Sequence, residues 1–152
     1  MPLGSLKGSD NKLAQLRRGL GRLGSEGYKT ALVVIAGRAS GLVRQGFESG
    51  AAPDGAPWKA TVRGNPPLQG PTGRLEAEAS EVRSGGRGLR VRLSLPYANI
   101  HLYGGQAGRN HSVEITARPY LPETDLSRLP PTWRTMVEGS VESVLTIFLP
   151  PP

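Results

Sequence analysis

The sequence has no cysteine. Disulfides, zinc–thiolate centres and thiol nucleophiles are therefore excluded. Aromatic residues make up 5% of the 152 positions and hydrophobic residues 37%, both low for a compact domain. The longest apolar run, Ala31 to Ala36, is far too short to cross a bilayer. The first ten residues are polar and glycine-rich, without the apolar stretch of a secretory signal. A soluble protein with no membrane contact is expected. Acidic residues are few: 12 Asp and Glu against 19 Lys and Arg, most of them arginine, leave a formal net charge of +7. Such a balance suits an anionic partner, either nucleic acid or an acidic protein surface, and does not choose between them.

Glycine and proline are plentiful, at 21 and 14 residues. A chain of this length suits one domain. With so much Gly and Pro through its middle, a modest core and long loops are expected. Burial would then be completed against a partner or against copies of the same chain. Residues 1–9 are expected to form a flexible arm, 10–149 a single domain, and Pro150 to Pro152 a proline tail.

Two helices are predicted at the start. Leu13, Leu16, Leu20 and Leu23 recur at three- and four-residue steps behind the capping residues Ser9 and Asp10. Gly19, Gly21 and Gly24 weaken that helix by up to about 1 kcal/mol each relative to alanine. Ser25 can cap a second helix from Glu26 to about Ser49, with Tyr28, Leu32, Ile35, Ala39, Leu42 and Phe47 as its apolar stripe. Gly50 to Thr72 is loop, because Pro53, Pro57, Pro66, Pro67 and Pro71 forbid a continuous helix. Asp54-Gly55 is a turn signal, and Trp58 is the one large apolar anchor of the segment.

Leu75 to Val82 reads either as a strand, with Leu75, Ala77 and Ala79 on one face, or as a short helical turn followed by a strand. Ser84 to Gly88 reads as a hairpin turn. Leu89 to Leu95 alternates apolar and polar residues and is the clearest predicted strand. Tyr97 to Tyr103 makes about two helical turns, closed by Gly104-Gly105. Ser112 to Thr116 alternates again, with Val113 and Ile115 inward. After a linker from Pro122 to Pro131, Thr132 caps a last helix from Trp133 to Leu149. The fold class is α+β: a small antiparallel sheet packed with a long N-terminal helix and a C-terminal helix, joined by long Gly/Pro-rich loops.

Catalytic groupings are thin. A metal site needs three or four ligands, and neither His101 nor His111 has acids at suitable spacing. His101 is expected to hydrogen-bond backbone and support the Gly104-Gly105 turn. Glu76 with Glu78, and Glu78 with Glu81, are the nearest thing to an acid–base pair. Such pairs are commonly a solvated strand face. There is no Gly-x-Ser-x-Gly elbow and no Lys-Ser/Thr phosphate loop. No enzyme and no cofactor is expected. Arg83, Arg87, Arg90 and Arg92 cluster on one predicted hairpin and can meet phosphates, but no aromatics interleave to stack bases.

Several segments in order resemble a known family. They are the helix ending in Phe47, Pro53-Asp54-Gly55 followed by Pro57-Trp58, and Thr72-Gly73-Arg74-Leu75. A strand pair, Pro96-Tyr97-Ala98 with His101 and Gly104-Gly105, and Ala117-Arg118-Pro119-Tyr120-Leu121 complete the series. Together they are similar to the phage virion morphogenesis family, the tail-completion and head–tail joining proteins of Mu-like and P2-like phages. The resemblance covers roughly Leu32 to Leu121. Arg63 to Pro71 lacks the charged stretch often found before Thr-Gly-x-Leu, and the exit reads Arg-Pro-Tyr-Leu where Arg-Pro-Phe-Leu is commoner. These departures leave open whether the source is an infectious phage, a tailocin or a gene transfer agent.

The resemblance implies a structural virion protein of the neck, assembled in the bacterial cytoplasm. It implies a homo-oligomeric ring, commonly hexameric, around the DNA channel, between a portal- or adaptor-side neck protein and the tail tube or sheath. Trp58, His101, Gly104, Gly105, Arg118, Pro119 and Tyr120 are the expected subunit or partner interface. Arg83, Arg87, Arg90 and Arg92 are the expected channel lining, in contact with packaged DNA. The competing expectation is a small basic protein that binds DNA without sequence preference.

Overall fold

A computed structural model describes residues 18, 21, 23–86, 88–123 and 125–148. The first predicted helix, the N-terminal arm, Arg87 and the proline tail lie wholly or largely outside these residues. A π-helical turn, Leu23–Gly27, leads into helix α1, Tyr28–Ser49. Its inner face is built by Ile35, Ala36, Ala39, Val43 and Phe47. These follow the three- and four-residue steps of a helix that packs along one side. Gly50 ends it in the left-handed conformation (φ 66°), where a side chain is disfavoured.

Helix α4, Pro131–Phe148, lies antiparallel along α1: Trp133 sits near Gly46, and Arg38 Nη1 donates to Ser140 Oγ at 3.1 Å. Pro131 occupies the first helical position, where its missing N–H costs nothing. Thr132, expected to cap the helix, is already inside it. Ser140 is fully buried, and its hydroxyl donates to the Met136 carbonyl at 2.6 Å. A small residue there lets the two helices approach closely.

The remaining elements are short. Helix α2 is Arg74–Ala79, so the helical alternative for this stretch is the one realised. Leu75 and Ala79 are buried while Ala77 is exposed, a four-residue step and not a two-residue one. Strands β1 (Arg83–Gly85) and β2 (Gly88–Arg90) pair antiparallel, with Arg83 opposite Arg90. The expected strand Leu89 to Leu95 is thus hydrogen-bonded only as far as Arg90. Val91, Leu93 and Leu95 still alternate inward, but β1 offers no partner beyond Arg83, where the chain turns back into α2. Helix α3 is Ala98–Tyr103. Strands β3 (Gly105–Ala107) and β4 (Val113–Ile115) form a second antiparallel pair. Val113, expected inward, is instead 50% exposed on this short ribbon. Among the described residues the antiparallel strands therefore form two separate two-stranded ribbons.

The core gathers residues from far apart in the chain. Phe47, Val43 and Ala39 of α1 meet Trp58, Leu75, Ala79, Leu95, Ala98, Tyr120 and Trp133. The fold is α+β, with its helices packed around this one cluster and its ribbons outside it.

Candidate functional site

The loop after α1 folds back at once. Ala51 bridges Pro57, the Ala52 amide donates to the Ala56 carbonyl at 2.8 Å, and Asp54 Oδ1 accepts the Ala56 amide at 3.0 Å. The Trp58 amide then donates to the Gly50 carbonyl at 2.8 Å. This narrow turn returns Trp58 onto the end of α1, where its ring meets Phe47 edge-on at 5.4 Å. Phe47 also packs on Tyr120 at 5.6 Å. Edge-on and tilted pairs at these distances suit the quadrupoles of the rings.

Both amphipathic rings place their polar tips on backbone. Trp58 Nε1 donates to the Pro119 carbonyl at 2.7 Å, and Tyr120 Oη donates to the Ala98 carbonyl at 2.8 Å. Burial, with smaller contributions from Tyr103 and Glu78, pushes the Tyr120 phenol up to about 12. It stays a neutral donor across the physiological range. Arg118 adds a third tie: its amide donates to the His101 carbonyl at 2.7 Å. Its guanidinium donates to the carbonyls of Lys59 at 2.9 Å, Ala60 at 3.4 Å and Thr116 at 3.5 Å. Gly104 has φ 75°, and a Cβ there would lie 3.0 Å from both the Ile115 carbonyl oxygen and the Ala117 nitrogen. Only glycine lets α3 run into β3 this close to the returning chain.

The residues expected to form an interface are thus brought together by the fold. Trp58 and Tyr120 are buried in the core, and their rings face other parts of the same chain. Gly105 and Pro119 are exposed, while His101, Gly104 and Arg118 are half-buried. His101 does not hydrogen-bond the turn through Nδ1, which is buried without a partner; its backbone is engaged, the amide donating to the Tyr97 carbonyl at 3.2 Å and the carbonyl accepting the Arg118 amide. Burial first, and the Arg118 charge second, hold its imidazole below the ordinary value, favouring the neutral ring.

The arginines behave differently. Arg83 and Arg90 face each other across the exposed ribbon, and Arg92 lies exposed just beyond it. Arg83 pairs with Glu81. Arg87 lies outside the described residues. Glu78, which the sequence pairs with Glu76 and with Glu81, is engaged by Ser94. Its carboxylate accepts the Ser94 hydroxyl at 2.6 Å and the Ser94 amide at 2.7 Å, pinning α2 to the segment after β2. These bonds hold it below the usual carboxylate range. Among the described residues, no group of three His, Asp or Glu is arranged to hold a metal ion, and no helix is long and apolar enough to cross a membrane.

Sequence reasoning did not find the ties themselves. Trp58 and Pro119 are 61 positions apart, and no local spacing announces a bond from an indole to a distant carbonyl.

Residues 11–145 match the model of the phage virion morphogenesis family. The chain belongs to the phage virion morphogenesis family. A relative within reach of this virion morphogenesis protein is Mu-like prophage FluMu G protein 2 of Haemophilus influenzae, 38% identical over 88 residues. That alignment takes in 57% of the present chain and 60% of the relative. The chain therefore spans about three-fifths of the length of the curated relative it matches. No solved structure matches this family member.

Proposed function

We propose that this virion morphogenesis protein is a non-enzymatic neck component that closes the tail and joins it to the head, as a homo-oligomeric ring around the DNA channel. The observation that carries the reading is the pair of separate two-stranded ribbons, in a chain whose family is phage virion morphogenesis. A lone two-stranded ribbon is marginal in water, and its edges carry unpaired amides and carbonyls. Neighbouring subunits laid edge to edge would pair those groups. The loops Gly50 to Thr72 and Gly104 to His111 would contribute contact area to the adjoining portal-side and tail-side proteins. Arg83, Arg90 and Arg92 would face the channel and the phosphates of packaged DNA.

Electron microscopy of particles assembled without this protein tests the placement. Filled heads beside unjoined tails are expected; intact joined particles would remove the neck assignment. The channel clause stands separately. Arg90→Gln with Arg92→Gln should reduce DNA retention in joined particles, and unchanged retention would discard it. A free basic DNA-binding protein is the second reading. It predicts a steep loss of duplex binding with rising salt in a gel shift.

A further inference from the structure

A recess of about 320 Å³ lies between the Thr61–Leu75 loop, the start of α3 and Arg118. Leu68, Pro66, Tyr97 and Pro71 supply apolar wall, and Arg74, His101 and Arg118 supply the ionisable groups. No carboxylate lines it. The ion pairs among the described residues involve Arg83 and Arg128; neither Arg74 nor Arg118 forms one there. Among the described residues the Arg118 guanidinium has backbone carbonyls as acceptors, which carry no formal charge to neutralise it. Glu78 lies close enough to Arg74 to feel its charge, but its own oxygens are occupied by Ser94. The buried Nδ1 of His101 is a polar atom still without a partner.

The walls are built, not incidental. Gln69 Nε2 donates to the Phe47 carbonyl at 3.4 Å, tying the loop to α1. Leu68 takes a left-handed backbone (φ 62°), a costly conformation for a branched side chain, and it packs against the core. The loop is thus bent inward at the point where it forms the rim.

We propose that this recess is a socket for an acidic side chain, Asp or Glu flanked by apolar residues, presented by a segment of another protein chain. The charge of the site asks for an anion. Its shape selects a side chain over a nucleic-acid backbone: cations set in a recess with proline and leucine walls admit one carboxylate with an apolar neighbour. A duplex presents a row of phosphates and is better met by exposed arginines such as those of the β1–β2 ribbon. The inference is independent of the neck placement and of ring formation.

The test is an NMR titration of the full chain with the peptide acetyl-Ala-Leu-Glu-Leu-Ala-amide. Its glutamine counterpart and a short DNA duplex are titrated in parallel. The glutamate peptide is expected to shift the His101 ring signals and the amides from Leu68 to Gly73. The glutamine peptide should bind about tenfold more weakly, the loss of one charge-assisted contact. Arg74→Gln removes a charge from the rim without removing any tie described above, and should weaken the glutamate peptide several-fold while leaving the rest of the spectrum in place. Equal binding of the two peptides overturns the proposal. So does the absence of shifts at these residues. Stronger binding of the duplex at the same residues makes this a phosphate site and overturns it as well.

Discussion

The aromatic joint and the arginine ribbon are built on opposite plans. In the joint, Phe47 and Trp58, brought together by a tight turn, meet Tyr120 from far along the chain, and both polar tips have a partner. In the β1–β2 ribbon all pairing is local, Leu89 is 39% exposed, and the charged groups point to water or to a near neighbour. One region is fixed by what it buries; the other, though it lies against α1, is closed by six residues of backbone ladder. The difference separates what the chain needs in order to fold from what it leaves free for contact with something else.

Substitutions should expose that contrast as a graded series. Trp58→Ala is expected to have the largest effect, destabilising the domain by about 3–5 kcal/mol. It removes the ring against Phe47 and leaves the Pro119 carbonyl without its donor. Chemical denaturation measures it, and a loss below about 1 kcal/mol would mean the joint is not the keystone of the core. Next comes Gly104→Ala. A methyl group there meets backbone atoms at 3.0 Å in a left-handed conformation, so a cost of about 1–3 kcal/mol is expected. Gly37→Ala serves as its control, since that glycine sits in mid-helix with open space around it. It should stabilise by about 0.5–1 kcal/mol in the same assay. Smallest of all is Arg90→Gln with Arg92→Gln, within about 0.5 kcal/mol of the parent. A large loss there would show that the ribbon belongs to the folding unit after all.

Much of the framework could be read from spacing. The stripe ending in Phe47 marks α1, and Gly104 marks the end of α3, because each is a local rule with a local outcome. Where two periodicities coincide, the sequence is ambiguous: Leu75 and Ala79 are two strand steps or one helical step apart, and burial decided for the helix. Leu89 to Leu95 shows the opposite case. Its alternation marks Val91, Leu93 and Leu95 as turning inward but fails at Leu89, which is exposed; a strand also needs a partner, and the chain on the other side turns away after three residues. Of the site, Trp58, His101, Gly104, Arg118 and Tyr120 were legible as a motif. What they do for one another was not, because their bonds run to carbonyls that any residue could supply. The recess at Leu68 left no sequence signal, since a leucine in a left-handed bend reads like any other leucine.

That use of main-chain acceptors has a consequence for how such a protein can change over generations. The indole and phenol of the joint grip peptide groups, so the receiving positions, Ala98 among them, put no demand on side-chain chemistry at the bond itself. At the bond itself only the donating side is chemically constrained; the accepting side is constrained by packing alone, as at the buried Ala98. A lineage diverging under pressure to fit new neighbours can therefore rewrite most of the surface around Trp58 and Tyr120 while those two donors hold the same architecture.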